Sequence, residues 1–483
     1  MSEVAPPEAS SPGVDLGSRA VLNTAFVLAA RIISRLAALV LVLAMSNHLG
    51  PERYGQYTTL VAYSAIISIL SDFGLNTLYT REAARRPAAI PGYLATLLAG
   101  KLPLTALSFV ALGLAAGVTG IGSLALPGIA LLGASTYVNL LRNTFYAVGR
   151  LEFEAVAILG ETAILAAGIL YGATHGGGVA WFLLVYTAAY GFTCVYCLAV
   201  IPLFKLARGA PTLDLKLLKP WLVMAFPIAL GSFLTNVYFK ADVPILQHFR
   251  PFQEVGWYQQ AYKPFEALQF IPLAVQSVIY PALAVYYRSA SERLNRAYHE
   301  FFKILVLLGW PISLGTVVLA HPIGRLFHLF PQSYVSLRIL ALAITFLFVN
   351  SAFTAMLYSV DRQDLFAWAT GAAAAVNIGL NLVLIPHYGY LAASSTTVVT
   401  EVAFSVVAYW FLRRRRPLPW LRLSWRILLA GFVLGGVAYE LSDHSIFIAA
   451  PGAAFAYLVA LWVLRAVSRD ELNFFLRGLR LRT

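Results

Sequence analysis

Ten charged side chains lie inside stretches that are otherwise apolar. The cations are Arg31, Arg35, Lys101, Lys240 and Lys263; the acids are Asp72, Glu161, Asp242, Glu266 and Glu401. A charge at the centre of a bilayer costs roughly 2.5–3.5 kcal/mol on insertion scales, so such residues face a wet cavity or a partner of opposite sign. Arg31 and Arg35 stand four apart in AARIISRLAALV (29–40) and share one helix face. Their own apolar run carries no acid. Arginine presents a planar fork of donors that suits phosphate. The pair is therefore a candidate site for an anionic headgroup, with Lys101 at similar depth on another run. Lys240 and Lys263 enter from the opposite side and complete a candidate cationic lumen. The plainer role for each cation is an ion pair that fixes packing: Lys263 with Glu266, Lys240 with Asp242, or Arg31 and Arg35 with an acid elsewhere, such as Asp72 or Glu161.

Membrane helices must position these residues, because the composition supplies little else. The 483 residues are 59% hydrophobic and 12% charged, with a mean hydropathy of +0.74; a soluble domain carries roughly a quarter charged residues. A helix needs about 20 apolar residues to cross a bilayer. Runs of that length predict fourteen spans, from 22–48 to 445–467. With the N-terminus cytoplasmic, 26 of the 35 Lys and Arg fall on the inner side and four on the outer, which the positive-inside rule requires. The expected protein is an all-α polytopic protein of the inner (plasma) membrane with both termini cytoplasmic. The net charge of +13 is then a basic rim facing anionic lipid headgroups, with no nucleic acid implied. No outer loop exceeds about 20 residues, which argues against a membrane polymerase or ligase, since such sites need a supported loop or domain.

Two internal matches divide the chain. HLGPERYGQY (48–57) resembles HFRPFQEVGWY (248–258), with Gly55 and Tyr57 matching Gly256 and Tyr258 at an offset of 201. YAVGRLEFEAVA (146–157) resembles YSVDRQDLFAWA (358–369) at an offset of 212. Six expected spans separate the repeats, an even number, so both halves have one orientation. This predicts two parallel six-helix bundles around a central cavity, a transporter architecture, with two further helices. The expected units are a disordered tail at 1–18, bundles at 19–210 and 211–412, and two extra helices with a basic tail at 413–483. Pro227, Pro244, Pro264, Pro272, Pro281 and Pro311 crowd the seventh to ninth spans, where each frees a carbonyl and permits a bend. Cys194 and Cys197 share a helix face without further metal ligands nearby and are expected to pack. No metal or cofactor is expected.

The opening stretch resembles Wzx-type oligosaccharide flippases of the multidrug/oligosaccharidyl-lipid/polysaccharide exporter superfamily. The resemblance rests on Asn23, the HLGPERYGQY turn (48–57), and SDFGL (71–75) with Arg81 after it. In the second half Asp242, Gly256, Tyr258, Pro272 and Pro281 fall where the family pattern recurs, and the C-terminal SRDELNFFLRGLR is similar too. The resemblance implies two six-helix bundles around a V-shaped cavity. It implies a flippase that moves a polyprenyl-diphosphate-linked oligosaccharide between leaflets. Related flippases of peptidoglycan precursors use cavity arginines, one on the first helix, for the diphosphate; Arg31 and Arg35 match that role by span and depth.

The expected activity is therefore alternating-access export of a lipid-linked oligosaccharide, without catalysis. Arg31, Arg35 and Lys101 are expected to neutralise the diphosphate, and Lys240 and Lys263 to take part in release. Membrane potential, or H+ or Na+ coupled through Asp72, Asp242 or Glu401, would drive it, with Glu266 a structural partner. Expected partners are the lipid-linked oligosaccharide, membrane lipids and polysaccharide assembly proteins. The rivals are a drug/cation antiporter of the same superfamily, which needs an acidic cavity, a membrane polymerase or ligase, and a non-transporting scaffold.

Overall fold

A computed structural model describes residues 13–207, 209–289, 291–414 and 416–467. Residues 1–12 of the expected tail and the SRDELNFFLRGLR segment lie outside them. The first helix begins at Gly13, inside the stretch expected to be a disordered tail. The described chain is helical. In the first half run α1 (Gly13–Asp72), α2 (Leu75–Arg85), α3 (Ile90–Val118), α4 (Ala125–Ala147), α5 (Leu151–Thr174) and α6 (Val179–Leu203). The second half holds α7 (Leu218–Lys240), α8 (Asp242–Phe249), α9 (Phe252–Leu268), α10 (Phe270–Ser289), α11 (Ser291–Val318), α12 (Ala320–Leu326), α13 (Pro331–Ser359) and α14 (Gln363–Leu412). Last come α15 (Trp420–Glu440) and α16 (Ile446–Val463). Among the described residues eleven helices are long and apolar enough to cross a membrane, and the protein is a multi-pass membrane protein.

Glycine and proline account for where these helices break. A straight α1 of 60 residues would extend about 90 Å, three times the hydrocarbon thickness of a bilayer. Gly50, at φ 74°, interrupts it, and Pro51 begins the second arm, where its missing N–H is no loss. Gly389, at φ 56°, divides α14 in the same way. Pro244 cannot bond to the carbonyl of Lys240, and Pro272 cannot bond to that of Leu268. The chain breaks at both places, between α7 and α8 and between α9 and α10. Large apolar side chains such as Leu114, Leu198, Phe455 and Trp462 stay exposed, as they do when lipid rather than water surrounds the helices.

The repeat recurs in the backbone. At the end of α4, Gly149 has φ 70° and Arg150 N–H bonds to Phe145 O at 3.0 Å. At the end of α13, Asp361 has φ 56° and Arg362 N–H bonds to Leu357 O at 2.9 Å. These are the same left-handed closing turn, 212 residues apart. The first match has a stronger consequence, because its glycines meet. A Cβ on Gly55 would lie 1.9 Å from Phe252 O, and one on Gly256 would lie 2.0 Å from Pro51 O. Pro51 and Phe252 are themselves 201 apart, so the contact is reciprocal, as an approximate twofold between the halves requires. Here α1 and α9 cross backbone to backbone. Gln260 Nε2 donates to Ser46 Oγ at 2.9 Å and to Asn47 Oδ1 at 2.9 Å beside it. This crossing closes the expected outer side. The extra helices pack on the second half, where Trp310 Nε1 donates to Leu428 O at 3.1 Å and Tyr457 OH to Leu307 O at 2.9 Å.

Candidate functional site: a cationic cavity

Below the crossing, a cavity of about 820 Å³ is walled by α1, α4, α5 and α6 of the first half and α9 of the second. Arg31, Ser34 and Arg35 line it, then Ala38, Leu39 and Val42 deeper along the same face of α1. Helical spacing puts residues three and four apart on one stripe, so the stripe that carries both arginines is the one turned inward. The two arginines, brought together on one wall, differ in their partners. Arg31 donates to Tyr146 OH and stands 4.0 Å from Glu154 Oε1. Neither Asp72 nor Glu161 is its counter-charge; the acid is Glu154, about two turns from Glu161 on α5. Arg35 has no ion-pair partner among the described residues and is exposed to the cavity.

A cluster that sequence reasoning did not assemble fixes the floor of this site. Arg142 pairs with Glu154 Oε1 at 3.0 Å and with Glu161 Oε2 at 3.1 Å. Tyr146 OH donates to Glu154 Oε1 at 3.0 Å, and Thr193 Oγ1 donates to Glu161 Oε2 at 3.2 Å. Arg142 reads from the sequence as part of the basic inner rim, since it lies near the end of a span. In the folded chain it turns into the cavity. One signal was available: Glu154 and Glu161 are seven apart, about two turns, and so share one face of α5. Two carboxylates on one stripe of a membrane-spanning helix require a cation.

The second half contributes Lys263, Glu266 and Ala267 to the cavity. Glu266 is bonded to Lys263 Nζ at 2.8 Å and to Lys240 Nζ at 3.0 Å. Lys240 thus turns to α9 rather than to Asp242, its nearer neighbour in sequence, because residues two apart on a helix do not face each other. One carboxylate shared by two ammonium groups leaves an excess positive charge. Across the cluster, Arg31, Arg35, Arg142, Lys240 and Lys263 face only Glu154, Glu161 and Glu266.

Lys101 is not on this wall. It is 0% exposed and donates to Asp72 Oδ1 at 3.1 Å and Asn76 Oδ1 at 3.1 Å. The expected diphosphate contact is thereby corrected. Lys101 and Asp72 cancel each other in a tie between α1 and α3, which leaves no charge for a ligand. Asp242 and Glu401 are also away from the cavity, buried in the second half without an ion-pair partner among the described residues. Asp242 accepts from Tyr258 OH and from Val243 N–H at 3.0 Å. Glu401 accepts from Asn350 Nδ2 at 2.7 Å and Tyr238 OH at 3.1 Å. No group of three or more His, Cys, Asp or Glu suited to a metal occurs among the described residues. Cys194 and Cys197 are free thiols, half-buried and buried.

Crossed helices around a charged cavity, with a twofold repeat, define a transporter-type fold. A lipid II flippase, MurJ, in an inward closed conformation superposes with a TM-score of 0.74 at 15% identity, over 90% of this chain and 97% of that one. An inward-facing multidrug-resistance MATE transporter of the MOP superfamily gives 0.61 at 15% identity, over 79% and 98%. The sequence profile of the polysaccharide biosynthesis protein family matches residues 20–287, more than half of the chain, and the chain belongs to that family. The MatE profile matches 227–383. A probable lipid II flippase MurJ of Bdellovibrio bacteriovorus is 25% identical over 295 residues, 56% of this chain. That match spans about half, 54%, of the relative's length.

Proposed function

We propose that the protein moves a polyprenyl-diphosphate-linked oligosaccharide from the inner to the outer leaflet by alternating access, for cell-surface polysaccharide export. The observation that carries this reading is the unpaired Arg35 beside Arg31 on the wall of a cavity with more cations than acids. Such a site attracts an anion and repels a cationic drug, so the antiporter alternative is disfavoured. The diphosphate lies against Arg31, Arg35 and Lys263, and the prenyl chain remains in lipid. With the termini in the cytoplasm, the cavity occupies the inner half of the membrane and the Gly55–Gly256 crossing seals the outer half. An inside-negative potential favours outward movement of each negative charge by about 2.3 kcal/mol per 100 mV. Polysaccharide assembly proteins are the expected partners.

Removal of both charges tests the reading. Arg35→Ala is expected to lower flipping in proteoliposomes at least about tenfold, the scale of a lost charge-assisted hydrogen bond. Arg31→Ala should cost less, because Tyr146 and Glu154 already occupy that side chain. Full activity of the double variant would falsify the diphosphate site. For coupling, the geometry favours Asp242 and Glu401 over Asp72, whose charge Lys101 cancels. Asp242→Asn is expected to remove any response of flipping to an imposed Na+ or H+ gradient while leaving substrate binding unchanged. An unaltered gradient response would move the coupling from Asp242 to Glu401.

A further inference from the structure

Four tyrosines form a continuous column from the cavity to the sealed crossing. Tyr190 and Tyr186, one turn apart on α6, line the cavity wall, with ring centroids 6.4 Å apart. Tyr186 lies 6.2 Å from Tyr57, and Tyr57 6.2 Å from Tyr54, on the second arm of α1. Tyr54 and Tyr57 flank Gly55, the residue pressed against α9. The column therefore begins where a ligand has access and ends at the contact that must part for release on the far side.

The residue type carries the argument. Phenylalanine would fill the same space between these helices, yet all four positions bear a hydroxyl. Tyr54 is 0% exposed and its OH has no hydrogen-bond partner. A buried, unpaired hydroxyl is a standing cost unless another state satisfies it. A ring with a polar tip is also the side chain that suits a sugar: the apolar face of a pyranose lies on the ring, and its hydroxyls bond to the phenol. Asn139, exposed on the neighbouring α4 wall, adds a carboxamide that both donates and accepts. Arg31 and Arg35 lie on the α1 wall and Lys263 on α9, and the α4 cation Arg142 is held by Glu154 and Glu161, so the tyrosine rings of α6 remain a surface without a cation of their own.

We propose that Tyr190, Tyr186, Tyr57 and Tyr54 form a stacking track for the glycan of the lipid-linked substrate. Tyr190 and Tyr186 hold its first sugar in the sealed state, and Tyr57 and Tyr54 receive it when α1 parts from α9. This rests on the flippase reading above, and two probes separate the two claims. The full-length protein in nanodiscs is titrated with undecaprenyl diphosphate and with undecaprenyl-diphosphate-linked N-acetylglucosamine. Tyr186→Leu and Tyr190→Leu are expected to weaken binding of the sugar-linked probe about tenfold, a ring contact of ordinary strength, and to leave undecaprenyl diphosphate unchanged. That unchanged affinity also reports intact folding. Tyr190→Phe, which keeps the ring, should lose less than Tyr190→Leu. Equal loss for both probes, or no loss for either, overturns the track while the diphosphate site stands. Failure of the unaltered protein to bind undecaprenyl diphosphate overturns the flippase reading itself.

Discussion

Gly55→Val is expected to abolish flipping and to open the sealed side of the protein, and Gly256→Val to do the same. A Cβ at either position would stand 1.9 or 2.0 Å from a backbone carbonyl oxygen of the other half. No rotamer change relieves such a clash, since the opposing atoms belong to helix backbones. The helices must separate by more than about 1 Å to regain contact distance. Overpacking costs up to about 3 kcal/mol, and that amount shifts the balance between sealed and unsealed forms about 150-fold. Ser46 reports the change. It is buried beside the crossing and held by Gln260, so a Ser46→Cys thiol, with Cys194 and Cys197 replaced by alanine, should resist a membrane-impermeant maleimide added outside. In the valine variants it should react readily. Normal flipping with a protected Ser46→Cys thiol would show that the crossing is not the seal.

The second large effect concerns Arg142. Arg142→Leu is expected to reduce flipping by more than about a hundredfold and to lower thermal stability by about 3–5 kcal/mol, the cost of removing one partner from a buried ion pair. The reason is the number of groups that depend on it. Glu154 is 2% exposed and Glu161 14% exposed, and Arg142 bonds to both. Without it Glu154 would pair more closely with Arg31, so the ligand site would lose the free charge of Arg31 as well as that of Arg142. Arg142→Leu combined with Glu154→Gln and Glu161→Gln should recover stability, measured by thermal melting in detergent, but not flipping. A single Arg142→Leu variant that melts and flips like the parent would remove this cluster from the site.

The balance between these two results also states how the site works. Arg31 and Arg142 together balance Glu154 and Glu161, whereas Arg35 and the Lys240–Glu266–Lys263 group retain excess charge. A fixed frame beside unsatisfied cations lets an anion bind without first breaking strong pairs, which is preorganisation.

Much of this protein was legible in the chain itself. Apolar run length and charge distribution dictate a multi-pass helical protein, because a backbone in lipid must satisfy its own hydrogen bonds. The spacing of Arg31 and Arg35 put them on one face, and their type made that face a candidate anion site. The offsets between Gly55 and Gly256, and between Tyr146 and Tyr358, revealed the repeat, since the same turn and the same close approach need the same residues. The partners of each charge were a different matter. Arg142 read as a cation of the inner rim and Lys101 as an embedded one, yet Arg142 frames the cavity and Lys101 is cancelled by Asp72. Lys240 chose Glu266 over Asp242, and Arg31 faces Glu154 rather than Asp72 or Glu161. Local spacing determines which face of a helix a residue occupies. Only the packing of helices against one another decides what that face meets, because ion pairs and cavities join residues from segments far apart in the chain.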